Sequence, residues 1–231
     1  MKCGEAIFDL TVPYKLYETG KKDDKPLIVY LHGFKQNAGS FKSLTSPLSE
    51  LQAYHLYPQG PYPLYNPKQS ATIEQWGRAW YLYDGRAKHF ISSLEESSQF
   101  IERLLEDVYS GISPNRIAVF GYSMGAYLAG YYGLTRPKAI DELITVGGRI
   151  KTEVIESNPK ELEHINVLAL HGRHDRRVRS KPQKESCDIL ADWGVSTTFE
   201  ELEEGHKLTH SYLNKAKDWL AKLGYEPATD S

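Results

Sequence analysis

Residues 116–134 read RIAVFGYSMGAYLAGYYGL. The stretch opens as a short apolar strand, bends at Gly121-Tyr122-Ser123-Met124-Gly125, and continues as an apolar helix rich in Ala and Gly. A strand, a sharp G-x-S-x-G turn and a helix, in that order, predict a serine in a strained backbone conformation with its hydroxyl lifted above the end of a sheet. Gly121 and Gly125 suit such a bend, because positions two residues either side of the serine have no room for a Cβ. The helix that follows points its positive end at the serine and favours negative charge there. The five-residue pattern alone also fits an ordinary glycine-rich turn with a bystander serine. A serine nucleophile needs a base, an acid and an oxyanion hole from elsewhere in the chain.

Outward from this stretch, strands alternate with helices. Upstream, Pro26–Leu31 is almost wholly apolar, as expected of a strand covered on both faces, and ends at His32-Gly33-Phe34. Ala38–Leu51 has helical spacing, Ala53–Tyr57 reads as a short strand, and Phe90–Tyr109 as an amphipathic helix. Glu5–Tyr14 reads as an edge strand ended by Pro13. Downstream, Glu142–Val146, Ile165–Leu170 and Val195–Glu200 read as strands, with helices at Gln183–Trp193 and Leu208–Leu223 and a frayed tail from Pro227. Glu153–Glu163 reads as a polar loop or short helix. The alternation predicts an α/β fold: a mostly parallel central sheet with helices on both faces. No repeat or linker divides residues 1–231, so one domain is expected.

Composition narrows the function classes. A net charge of −2 gives no sign of nucleic-acid binding. No apolar run nears the roughly 20 residues that span a membrane, so stable membrane insertion is not expected. The N-terminus lacks a signal-peptide pattern, and the two cysteines, Cys3 and Cys187, lie far apart, so a soluble cytoplasmic protein is expected. Neither metal-ligand spacing nor a phosphate-binding glycine loop occurs, and serine hydrolysis needs no cofactor.

Ligands of such sheets bind outside the carboxyl ends of the strands. Ser123, Asp175, His206 and Phe34 all fall there. In this reading His206 takes the proton of Ser123, Asp175 orients the imidazole, and the backbone N–H groups of Phe34 and Met124 form the oxyanion hole. Asp141 and Asp84 are rivals for the acid; His210 and His174 are rivals for the base. His32 is expected to shape the oxyanion loop.

The segments GYSMG, LHGF, HGRHDRRV and EEGH, together with Arg78-Ala79-Trp80-Tyr81 and Gly111–Ile117, resemble the α/β-hydrolase superfamily. Within it the chain is similar to the phospholipase/carboxylesterase and acyl-protein-thioesterase-like group and to bacterial predicted esterases, over roughly residues 26–223. The resemblance implies an α/β-hydrolase fold with Ser123, Asp175 and His206 as the triad. The chain departs from the group's pattern at Met124, where Gln is common, and at Val178-Arg179, where Val-Pro is usual. An acidic position is also missing from Phe34-Lys35-Gln36-Asn37. These departures argue against assigning protein depalmitoylation.

Pro58–Gly85 holds four prolines and two tryptophans with little periodicity, and reads as a long functional loop. Trp76, Tyr81 and Tyr83 are its candidates for a substrate pocket, with Tyr62 and Tyr65 open, while Trp80 is expected to pack inside. A large lid domain does not fit the length. Arg173, Arg176, Arg177, Arg179, Lys181 and Lys184 surround Asp175; they read first as a solvated basic face and second as a docking rim for anionic substrates. Nearby positive charge is expected to favour ionised Asp175. The expected activity is hydrolysis of small carboxylic esters or thioesters by a carboxylesterase-type serine hydrolase, and the expected partner is that small-molecule ester. A homodimer stays open. A peptidase or C–C bond hydrolase with the same triad, or a non-catalytic binding protein on this fold, are the alternatives.

Overall fold

The computed structural model describes residue 4 and residues 10–65, 72–154 and 159–228. Its centre is strand β2 (Leu27–Leu31), every residue of which is buried. Leu27, Val29 and Leu31 face one apolar layer, and Ile28 and Tyr30 face the other. That two-sided demand explains the unbroken apolar run, since a strand with a wet face would alternate.

In chain order the elements are β1 (Tyr14–Glu18), β2, helix α1 (Ala38–Leu44), β3 (Tyr54–Pro58), β4 (Tyr62–Pro63), β5 (Arg78–Ala79) and α2 (Ala87–Tyr109). There follow β6 (Ile117–Tyr122), α3 (Met124–Thr135), β7 (Glu142–Val146), β8 (Asn166–Gly172), α4 (Ser180–Asp192), β9 (Ser196–Leu202) and α5 (His210–Lys222). Seven strands form one sheet in the order β1-β3-β2-β6-β7-β8-β9. Only β1 runs antiparallel, against β3. Helices α2, α3 and α4 cover one face, through Leu94, Ile101, Leu128 and Leu190. The other face is covered by α1 and α5, through Phe41, Leu213, Ala216 and Leu220. This is the α/β-hydrolase fold. No described helix is long and apolar enough to cross a membrane.

The edge strand among the described residues is Tyr14–Glu18, just after Pro13, and it pairs with Tyr54–Pro58. Proline lacks an N–H, so it sits at the start of an edge strand more readily than it closes one. Residues 5–9 of the expected strand lie outside the described residues. The expected helix over residues 38–51 breaks at Thr45 into α1 and a 3₁₀ turn at Ser46–Glu50, where Pro47 has no N–H to continue the ladder. Pro227 is not frayed: it bridges Leu51, and the N–H of Ala228 donates to the carbonyl of Glu50 at 2.7 Å.

The long excursion between β3 and α2 carries, among its described residues, the small antiparallel ribbon β4–β5 and a 3₁₀ turn at Ile73–Gln75. Its described residues form no helical lid. Residues 66–71 of that loop, and 155–158 of the polar segment after β7, lie outside the described residues.

Candidate active site

Four parallel strands and the turn after β2 deliver the site to one edge of the sheet. The turn between β6 and α3 puts Ser123 at φ 52°, ψ −113°, a left-handed region that side chains avoid. The bend is tied down by the Ser123 N–H, which donates to the carbonyl of Val146 at 2.8 Å. A Cβ on Gly121 would meet the carbonyl oxygen of Gly125 at 2.4 Å, and one on Gly125 would meet that of Leu31 at 2.0 Å. Only glycine fits at either position.

After β8, the loop brings Asp175 beneath this turn; after β9, the loop brings in His206. Ser123 Oγ lies 2.9 Å from His206 Nε2, and His206 Nδ1 lies 2.7 Å from Asp175 Oδ2. An ionised carboxylate only accepts, so Nδ1 carries the proton and Nε2 presents its lone pair to the Ser123 hydroxyl. The Asp175 side chain is fully buried and that of His206 is 12% exposed. Burial alone would push the Asp175 carboxyl up. The N–H groups of Val178 and Arg177, donating to Oδ1 at 3.0 and 2.8 Å, and the His206 ring outweigh it and hold the group below its ordinary value. Backbone dipoles and His206 therefore do what was expected of the arginine charges.

The rivals lie elsewhere. Asp141 accepts from the Ile117 N–H at the opposite end of β6. Asp84 is held by Arg86 and His89 at the surface. His174 pairs with Glu203, and His210 is the exposed first residue of α5.

In the turn after β2, Gly33 N–H donates to Gln36 Oε1 at 2.7 Å and Lys35 N–H to the carbonyl of Arg78 at 3.0 Å. The N–H of Phe34 between them takes no acceptor among the described residues, nor does that of Met124, at the start of α3, where helix amides are open. His32 is buried, and burial lowers its imidazole to about 4. Neutral, it donates from Nδ1 to the Gly33 carbonyl and accepts the Gly60 N–H at Nε2. Its own carbonyl accepts from Trp80 Nε1 at 2.7 Å. Trp80 is thus a buried brace.

Of the pocket candidates, Tyr81 and Tyr83 both pack edge-on against Phe90, at 4.9 and 5.3 Å between ring centres. Phe90 in turn meets Tyr127, one turn of α3 beyond Ser123. Trp76 belongs to a separate pair with Tyr65, next to Gly77, which abuts Lys35. A cleft of about 560 Å³ between β1 and the start of α1, lined by Lys15, Asn37, Gln59 and Glu74, includes none of Ser123, Asp175 and His206. Among the described residues, no group of three His, Cys, Asp or Glu is arranged to hold a metal.

Several neighbours escaped the sequence reading. Tyr122 donates its hydroxyl to the His206 carbonyl at 2.8 Å, and sits inside the GYSMG motif itself. Gly147, at φ 60°, leaves space beside the His206 ring, where a Cβ would stand 3.6 Å away. His171 packs behind Asp175, donating from Nε2 to the Val178 carbonyl at 2.8 Å. Phe90 and Tyr127 were legible only as helix positions.

An α/β-hydrolase sheet that gathers an acid, an imidazole and a serine at its carboxyl edge defines a class of hydrolases. Within that class the match is specific. The sequence model of the phospholipase/carboxylesterase family covers residues 14–224, and the chain belongs to this family. It is a carboxylesterase-type hydrolase. The mouse lysophospholipase-like protein 1 is 25% identical over 203 residues, 84% of each chain. The Dictyostelium discoideum acyl-protein thioesterase 1 homolog 2 is 28% identical over 155 residues, 61% of this chain and 69% of that one. Among solved structures, a Mesorhizobium loti carboxylesterase superposes with a TM-score of 0.74 at 18% identity, covering 93% of this chain and 97% of that one. Esterase PE8 does so at 0.73 and 21% identity, over 92% and 99%. At such identities the structural likeness concerns the fold.

Proposed function

We propose that the protein cleaves small carboxylic esters, thioesters included, through an acyl-enzyme on Ser123. The observation that carries the proposal is the continuous relay from Ser123 Oγ to His206 Nε2 at 2.9 Å and from His206 Nδ1 to Asp175 at 2.7 Å. As Ser123 Oγ bonds to the carbonyl carbon, its proton passes to Nε2, and Asp175 stabilises the imidazolium that forms. The carbonyl electron pair moves to oxygen, where the N–H groups of Phe34 and Met124 meet the new charge. Each such donor is worth about 3 kcal/mol in the transition state. Collapse breaks the bond to the leaving alkoxide or thiolate, which takes the proton from His206. Water then repeats the sequence on the acyl-enzyme and frees Ser123.

The wall of Tyr81, Tyr83, Phe90 and Tyr127 is the proposed pocket for the acyl or aryl group. Trp76 is the candidate that this geometry supports least. The names of the two relatives favour acyl esters and thioesters over peptides. The proposal takes the chain as one domain at work in the cytoplasm, for which the unpaired thiol of buried Cys187 speaks.

The test is covalent. A fluorophosphonate labels Ser123, and p-nitrophenyl acetate gives a burst of p-nitrophenol equal to the enzyme. Absence of labelling, or labelling that survives Ser123→Ala, sinks the proposal. A panel of esters, thioesters and peptides ranked by kcat/KM then separates esterase from peptidase.

A further inference from the structure

We infer that the substrate carries an anionic group, and that Arg177, on the rim of the site, receives it. The inference rests on the ester-hydrolase reading and adds the charge class of the ester.

Six basic residues surround Asp175 in the sequence, and their partners divide them. Arg173 pairs with Glu201 and Glu203, Lys181 with Glu185 at 3.8 Å, and Lys184 with Asp188 at 2.7 Å. Arg176, Arg177 and Arg179 are exposed and have no carboxylate partner among the described residues. The neutralised residues belong to the end of β8 and to α4. The unpaired ones belong to the turn that holds the triad acid.

Arg177 is the one fixed to the site. Its backbone N–H donates to Asp175 Oδ1, so its Cα is set by the same contact that orients the acid. Burial raises the Tyr122 phenol above its ordinary value, and the positive charge of Arg177 is among the groups that oppose the rise. Tyr122 donates to the His206 carbonyl, and the two rings lie 5.7 Å apart. Lys207, the residue after His206, is exposed and also has no carboxylate partner among the described residues. Of the acids in the loop after β9, Glu203 is taken by Arg173 and His174, and Glu204 alone has no cationic partner among the described residues, against the unpaired Arg176, Arg177, Arg179 and Lys207. Unpaired charge around His206 is therefore mainly positive. A guanidinium fork beside a partly enclosed nucleophile binds carboxylate or phosphate with directed hydrogen bonds, and long-range attraction raises the encounter rate.

The experiment compares esters in matched pairs. In one pair the charge is on the acyl side: p-nitrophenyl hemisuccinate against p-nitrophenyl butyrate. In the other it is on the leaving group: 4-acetoxybenzoate against its neutral methyl ester. The anionic member of at least one pair is expected to show the higher kcat/KM, by about tenfold at low salt, with the advantage shrinking as ionic strength rises. Arg177→Gln is expected to abolish most of that advantage and Arg177→Glu to reverse it, whereas Lys184→Gln leaves it unchanged. The anionic-to-neutral ratio is read within each variant, so a loss of folded enzyme cancels. Equal rates within both pairs, or a ratio that Arg177→Gln does not move, overturn the inference and leave the esterase reading standing. Failure of every ester, together with failure of fluorophosphonate labelling, removes both.

Discussion

Ser123 holds an unfavourable φ because four contacts around it leave no alternative: its N–H on Val146, the close approaches at Gly121 and Gly125, and the Ala126 N–H on its own carbonyl. Asp175 shows the same economy. One oxygen faces His206, and the other takes two backbone N–H groups, so the carboxylate cannot rotate without losing both. Asp175→Asn is expected to fold normally and to lower kcat about 10⁴-fold, the size of effect seen when a triad acid is neutralised in a serine protease. Circular dichroism and ester turnover check this; a loss below tenfold would mean that His206 does not depend on Asp175. Gly147→Ala puts a Cβ into a left-handed residue beside the His206 ring, at a cost of roughly 1–2 kcal/mol. The added Cβ would stand 3.6 Å from the imidazole, an ordinary contact, so the urea midpoint is expected to fall while kcat and KM stay close to those of the unaltered protein.

At the scale of elements, the end of the sheet opposite the site holds a polar clamp. Glu142, the first residue of β7, is fully buried. It accepts from the Tyr225 hydroxyl at 2.6 Å and pairs with Arg116, just before β6. Arg116 also donates to the Leu223 carbonyl at 2.6 Å, so the segment after α5 is fastened to two central strands. Burial raises the Glu142 carboxyl above its ordinary value, and Tyr225 and Arg116 oppose the rise. Tyr225→Phe leaves a buried carboxylate short of one donor, at a cost of about 1–3 kcal/mol. The urea midpoint is expected to fall while ester kcat stays unchanged, because the clamp and the site occupy opposite ends of the sheet. An unchanged midpoint would show that the tail contributes little to stability. The clamp holds Leu223 and Tyr225 just ahead of Pro227 and Ala228, two residues expected to fray, and its anchors, Glu142 and Arg116, lie far back in the chain.

Across the whole molecule, acid stability is governed in part by two buried histidines. Burial lowers both His32 and His55 to about 4. His55 is neutral between Thr19 Oγ1 and the Tyr30 hydroxyl, at 2.9 Å each. Below pH 6.5 the unfolded chain binds protons that the native state refuses until about 4, so stability falls as pH drops through that window. Each contributes on the order of 3 kcal/mol. Glu142 acts in the opposite sense, because its folded carboxyl binds a proton more readily than the unfolded one. The urea midpoint is expected to decrease from pH 7 to 4.5, and His55→Gln to flatten the decrease. A flat profile in the unaltered protein contradicts the burial of these rings.

The chain by itself determined the alternation of strands and helices, because apolar periodicity follows directly from which faces are covered. The Glu142–Val146 strand falls where its apolar run does, and the Ser123 turn is visible because backbone crowding demands glycine at 121 and 125. The order of Ser123, Asp175 and His206 was equally legible, since strand ends in a parallel sheet share one edge. Only the tertiary structure decided which partners each residue meets. Strand β1 begins after Pro13 because β3 is there to pair with it, and Gln36 serves the Gly33 N–H, a contact within the turn after β2 that no sequence pattern announces. Phe90 joins Tyr81 and Tyr83 although α2 begins after the loop that carries them. Local sequence sets periodicity and turn chemistry within a few residues. Contacts between segments tens of residues apart depend on how the layers pack, and the division of six like charges into paired and unpaired ones emerges only there.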